Sequence, residues 1–316
     1  MVITVILMTV LILFLCLSYA VYRFAYYSPN RQQNNDYAIA STPQMDALHD
    51  DILRLIDAAN ELPYEAVHIT SHDGLKLSGR YYHQREGAPL NICFHGYRGT
   101  PSRDFSGGIQ VMRRQGHNVL MIEQRAHCSS QGHTISFGIE ERFDCLDWVR
   151  YALERFGEDT QILLVGISMG AATVLMASEL DLPEQVSGII ADCPYSAPGA
   201  IIRKVCRDMK LPVSAAAWLA AVSAKLYGRF TLTVSSAVEA VKHTSVPILL
   251  IHGTEDHFVP CGMSKEIYSV NPAQIELQLF PGAGHGLSYL IDPERYAQIV
   301  RDFSDRVLSK EWKPEG

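Results

Sequence analysis

The spacing of apolar positions changes character several times along the chain. Val2 to Tyr22 carries no charge and is dominated by Val, Ile, Leu and Phe. At ~1.5 Å per residue it makes roughly 31 Å of helix, enough to cross the hydrocarbon core of a bilayer. Tyr19, Tyr22, Tyr26 and Tyr27 gather with Arg23 at its end, a composition suited to headgroups. The polar stretch from Ser28 to Ser41 reads as a linker. Behind Thr42-Pro43, the positions Met45, Leu48, Ile52, Leu55, Ile56 and Ala59 recur at three- and four-residue spacing and predict an amphipathic helix.

From Tyr64 the period shortens. Val67 to Thr70 and Leu75 to Tyr82 flank Asp73-Gly74, which predicts a hairpin. Apolar runs follow at Leu90 to Phe94, Asn118 to Ile122, Gln161 to Val165, Gly188 to Ala191, Val246 to Ile251 and Ile275 to Phe280. Amphipathic segments such as Glu140 to Phe156 and Ala171 to Leu180 separate most of them. This alternation predicts an α/β domain, a mainly parallel sheet with helices on both faces. Pro194 to His243 is far longer than a crossover needs, and its Ala- and Leu-rich centre, Val213 to Tyr227, predicts a helical cap insertion. The chain thus divides into an anchor or signal segment over 1–27, a linker and helix over 28–63, and one domain over 64–316 with an insertion at about 194–243.

Composition narrows the partners. A net charge of −7 offers no basic face to nucleic acid. The seven cysteines form no C-x-x-C pair, so neither a disulfide framework nor a metal site is expected. Two readings fit the first stretch. Ser18-Tyr19-Ala20 resembles a cleavage site, which would give a secreted protein, but no Lys or Arg precedes the apolar run, which favours a retained single-pass anchor. Arg23 and Arg31 follow the span, so the positive-inside tendency places the domain on the cytoplasmic side. Oligomeric state is not written in these patterns.

Gly166-Ile167-Ser168-Met169-Gly170 lies directly between an apolar strand and a helical run. A serine on such a turn is exposed at the top of the sheet as a nucleophile. It needs a base, and Gly284-His285-Gly286 follows the last predicted strand with room for an imidazole to project. The acid that orients the base is expected at Asp256, in His252-Gly-Thr-Glu-Asp256, with Glu255 and Asp192 as rivals. The N–H groups of Met169 and of Tyr97, in His95-Gly96-Tyr97-Arg98-Gly99, are the expected oxyanion donors, and His95 is expected to bond within its loop. No cofactor or metal is called for.

Through these motifs the chain resembles the α/β-hydrolase superfamily. Glu123-Gln-Arg-Ala-His-Cys-Ser-Ser-Gln-Gly132 also resembles that family's D-x-R-x-x-G-x-S-x-G segment, with Glu123 and Cys128 as departures from Asp and Gly. The resemblance spans roughly residues 64–309, and its nearest flavour is the bacterial, often membrane-anchored, esterase-like and dipeptidyl-peptidase-like hydrolases. It implies a Ser-His-Asp serine hydrolase acting through an acyl-enzyme; the apolar residues of the insertion between Pro194 and His243 point to a carboxylic ester with an apolar portion as substrate. A peptidase, an acyltransferase and a catalytically silent, membrane-anchored binding protein are the alternatives. Ile201, Ile202, Met209, Leu211, Trp218, Leu219 and Leu226 either line a substrate pocket or pack the insertion onto the sheet.

Overall fold

The computed structural model describes residues 1–28 and 35–312; most of the polar linker, with Arg31, lies outside the described residues. The strands are β1 (Glu65–Thr70), β2 (Lys76–Tyr82), β3 (Leu90–Phe94), β4 (Asn118–Glu123), β5 (Ile162–Ile167), β6 (Val186–Asp192), β7 (Ile248–Gly253) and β8 (Ile275–Phe280). They form a single eight-stranded sheet in the order β1-β2-β4-β3-β5-β6-β7-β8. β1 and β2 make the hairpin that Asp73-Gly74 predicts, with Gly74 at φ +87° in its turn. β2 joins β4 antiparallel, and β4 through β8 run parallel.

Every residue of β3, β4 and β7 is buried, as expected for strands covered on both faces. On one face, helices Glu141–Phe156 and Met169–Ala177 bring Trp148, Val149, Val174 and Leu175 onto Ile92, Leu120 and Leu164. On the other, Ile109 and Met112 join Val300 and Phe303 of helix Pro293–Leu308 against Met121, Leu163 and Leu249. The amphipathic helix behind Thr42 is broken at Leu48 into Pro43–Ala47 and His49–Asn60, and Thr42 Oγ1 caps its start by accepting from Met45 N–H at 3.1 Å.

The segment after β4 is held by charge. The buried Arg125 guanidinium bonds Asp144 at 2.6 Å and Asp73 at 3.0 Å, tying the hairpin turn to helix Glu141–Phe156. Glu123 accepts from Ser129 N–H at 2.9 Å, and Cys128 takes φ +44°, the left-handed conformation for which glycine is the usual choice. Both departures from the family pattern are therefore accommodated in a structural turn.

The insertion contributes helices Pro198–Asp208 and Val213–Ser223, a π-helical turn at Ala224–Gly228, and a short helix at Ala237–Ala240. Ile201 and Ile202 are buried with Tyr22 and Tyr26 of the N-terminal helix, Val2–Ala25. That helix is long and apolar enough to cross a membrane, and most of its surface is uncovered by the domain.

Between β5 and the helix that follows, backbones approach too closely for any side chain. A Cβ on Gly170 would sit 1.8 Å from the Phe94 carbonyl oxygen, and one on Gly166 would sit 2.3 Å from the Gly170 carbonyl oxygen. Gly170→Ala must push the helix off β3. The expected cost is at or above the top of the ~1–3 kcal/mol usual for overpacking, measured as a lower urea midpoint.

Candidate active site

Ser168 stands where β5 turns into helix Met169–Ala177, at φ +54° and ψ −112°. A non-glycine residue tolerates this only when its surroundings impose it. Ser168 N–H donates to the Asp192 carbonyl at 2.8 Å, which ties the turn to the end of β6. Its Oγ lies 2.9 Å from His285 Nε2, and His285 Nδ1 lies 2.7 Å from Asp256 Oδ2. The three side chains singled out in the sequence are thus in hydrogen-bond contact.

Asp256 is buried, and burial alone would raise its carboxyl. Hydrogen bonds from His252 and His285, joined by the Val259 N–H, reverse this and hold the carboxyl below its usual range. A carboxylate can only accept, so His285 Nδ1 carries the proton and Nε2 is left to accept from the serine hydroxyl. His252 is fully buried, with Nδ1 2.7 Å from Ser264 Oγ and Nε2 2.7 Å from the Val259 carbonyl, and braces the Asp256 loop.

Met169 is the first residue of its helix, so its N–H has no intrahelical acceptor. Tyr97 sits in a turn closed by Gly99 N–H on the Gly96 carbonyl at 3.0 Å. A Cβ on Gly96 would lie 3.4 Å from Ser168 Cβ, so this turn runs directly beside the serine. His95 bonds within the loop: its Nδ1 lies 2.8 Å from the Gly96 carbonyl, and its Nε2 accepts from Gln124 N–H at 3.1 Å. Burial pushes it down to about 3, so it stays neutral and serves the loop's shape.

The rivals to Asp256 lie elsewhere. Glu255 is exposed and stands 3.8 Å from His257. Asp192 is buried, and no protein group bonds its Oδ1 among the described residues. Cys193, which is fully buried, places its Sγ within 4.8 Å of ligand atoms of Asp256 and His285. Burial raises this thiol well above its ordinary value, so it stays protonated.

Ser168 and His285 open into a cavity of about 560 Å³. None of the seven insertion side chains proposed as pocket lining borders it. The wall comes instead from the segment before the domain, through Ile39, Met45, Ile52 and Leu55, and from Leu287 and Tyr289 after the histidine. Helix Pro43–Ala47 therefore does more than pack on the domain. The Gln44 side-chain amide donates to the Gly282 carbonyl at 2.7 Å and accepts from Gly284 N–H at 2.8 Å, clamping the loop that presents His285. Only the folded contact reveals this role, because a lone glutamine in a predicted amphipathic helix carries no chemical signature.

Gln44→Ala removes both bonds, but one is exposed and the other part-buried, so water replaces the amide at a cost of under about 1 kcal/mol. Turnover is expected to fall about tenfold with little change in thermal midpoint, as steady-state kinetics and calorimetry would show. Asp192 generates a second expectation. Burial, the largest influence, raises its carboxyl to about 6 from the ordinary 3.8. Between those values the folded protein keeps a proton that the unfolded chain has released, so stability falls as pH rises through the window. Asp192→Asn removes this slope, worth on the order of 3 kcal/mol. Urea denaturation should show the variant gaining on the parent between pH 3.5 and 7.

Comparison with known proteins follows the same lines. The model of the alpha/beta hydrolase family matches residues 92–299. YqkD of Bacillus subtilis (strain 168) is 25% identical over 193 residues, covering 61% of this chain, which spans 63% of that relative. YfhR of Escherichia coli (strain K12) is 24% identical over 252 residues, 78% of this chain and 81% of the relative. Among solved structures, the Pyrococcus furiosus esterase PF2001 superposes with a TM-score of 0.64 at 23% identity, over 89% of this chain and 98% of the esterase. The family match covers more than half of the sequence, and the chain belongs to the alpha/beta hydrolase family.

Proposed function

We propose that the protein is a serine hydrolase that cleaves a carboxylic ester with an apolar acyl portion through an acyl-enzyme. The observation that carries this reading is the continuous path from Ser168 Oγ to His285 Nε2 at 2.9 Å and from His285 Nδ1 to Asp256 at 2.7 Å. That path opens into a largely apolar cavity. Ser168 attacks the ester carbonyl while His285 takes its proton, and Asp256 stabilises the imidazolium that results. The N–H groups of Tyr97 and Met169 stabilise the oxyanion. His285 then protonates the departing alcohol, and a water activated by the same histidine releases the acid. The Pyrococcus furiosus esterase among the structural relatives agrees with hydrolysis of this kind.

The reading extends to location. The N-terminal helix is kept as a membrane anchor over residues 1–27, with the domain over 64–316 on the cytoplasmic side. Arg23 at the end of the apolar stretch supports that orientation.

The test uses the full chain in detergent beside Ser168→Ala, with a fluorophosphonate probe and p-nitrophenyl esters of increasing chain length. Labelling and turnover are expected in the parent and absent in the variant. KM should fall with each added methylene, at about 0.8 kcal/mol per buried CH₂, until the cavity is full. Turnover that persists in Ser168→Ala would overturn the assignment. Adding alcohol or amine acceptors separates hydrolysis from acyl transfer.

A further inference from the structure

The cap insertion carries apolar surface that the cavity does not use. Helix Val213–Ser223 holds no charged residue. A helix on a water-facing surface normally shows a polar outer side. This one shows Ser214, Ala215, Trp218 and Ala221, a single small hydroxyl among apolar side chains, with Trp218 60% exposed. Leu211 before it and Leu226 after it are exposed as well. Lys210, Lys225 and Arg229 stand exposed around this patch, and no acidic residue occurs between Asp208 and Glu239, against a net charge of −7 for the whole chain.

The N-terminal helix indicates what covers the patch. The Trp218 ring lies 5.8 Å from that of Phe14. The Tyr227 ring lies 5.2 Å from Tyr19 and 5.8 Å from Tyr22, and its hydroxyl donates to the Leu15 carbonyl at 2.9 Å. Tyr26 hydroxyl donates to the Ala220 carbonyl at 3.1 Å. The insertion therefore grips the helix from Phe14 to its end. Only Val2 to Leu13 stays clear, and at ~1.5 Å per residue that is roughly 18 Å, well short of a ~30 Å hydrocarbon core. The helix can cross a bilayer only if Phe14 to Tyr22 is immersed too. Phe14 then lies roughly 12 Å below the level of Tyr22, and the surface stacked on it goes to the same depth.

We propose that the outer face of helix Val213–Ser223 is a bilayer-docking surface. It enters the hydrocarbon beside the N-terminal helix and sets Lys210, Lys225 and Arg229 against anionic headgroups. The inference rests on the reading of the N-terminal helix as a retained span.

The experiment places the full chain in nanodiscs of phosphatidylcholine and phosphatidylglycerol whose acyl chains carry bromine, a contact quencher of tryptophan. Trp148 is buried in the core and Trp312 packs on Phe303, so the exposed indole is Trp218. Brominated chains should remove at least a third of the parent's emission, and Trp218→Phe should abolish most of that quenching. Leu11→Trp in the Trp218→Phe background reports on the anchor separately, since Leu11 is exposed on the N-terminal helix. Quenching at both positions supports the proposal. Quenching at 11 without quenching at 218 overturns it and leaves the anchor standing. Quenching at 218 alone overturns paired insertion, and quenching at neither position removes the span together with the docking face. Unchanged turnover of a soluble ester in detergent verifies that each variant is folded.

Discussion

The close approach of one helix to the ends of two strands is the constraint on which the site depends. Helix Met169–Ala177 sits so near β3 and β5 that residues 166 and 170 have no room for a Cβ. The chain must reverse between them in three residues, and Ser168 absorbs the reversal at positive φ. That conformation costs on the order of 1–3 kcal/mol, which the packing of Val174 and Leu175 into the core offsets. The strain is the means by which a small side chain is lifted clear of the sheet. The same device recurs across the site, where a Cβ on Gly253, at the end of β7, would lie 2.1 Å from the Ala283 carbonyl and press the acid's loop against the histidine's.

Around that fixed serine the electrostatics are graded. Asp256 is buried yet ionised because N–H groups and two imidazoles surround it. Asp192, at the neighbouring strand end, is equally buried; it takes a hydrogen bond from the Tyr296 hydroxyl, its Oδ1 has no partner among the described residues, and burial raises it instead. Two carboxyls at adjacent strand ends are thus shifted in opposite directions, because one is ringed by backbone N–H groups and imidazoles and the other is not. Chain order pointed to the same residue as the orienting acid, although order alone carries no information about hydrogen bonds.

The sheet was legible because its strands are buried on both faces and so appear as unbroken apolar runs between helical segments. The serine elbow was legible because its glycines are imposed by sterics that leave a mark in one dimension. The cavity wall was not. Ile39, Met45 and Leu55 line it from a segment far removed in sequence from Leu287 and Tyr289, and apolar residues look alike whether they pack a core or face a substrate. The insertion was ambiguous for the same reason: Trp218 and Leu226 read either as pocket lining or as packing, whereas both are exposed, Trp218 beside Phe14 of the N-terminal helix. Gln44 and Cys193 became visible only through contacts between distant parts of the chain.

The end of the N-terminal helix is also held by the loop beside the serine. Tyr97 hydroxyl donates to the Ala25 carbonyl at 2.9 Å, and Arg98 donates to the Phe24 carbonyl at 2.8 Å. The final carbonyls of a helix lack intrahelical partners, so these side chains complete it as a cap would. A load that tilts or draws on the helix is delivered through these two hydrogen bonds to the backbone next to Ser168. The helix and the site form one mechanical linkage, through which the proposed membrane anchoring would make bilayer thickness a variable felt at the loop.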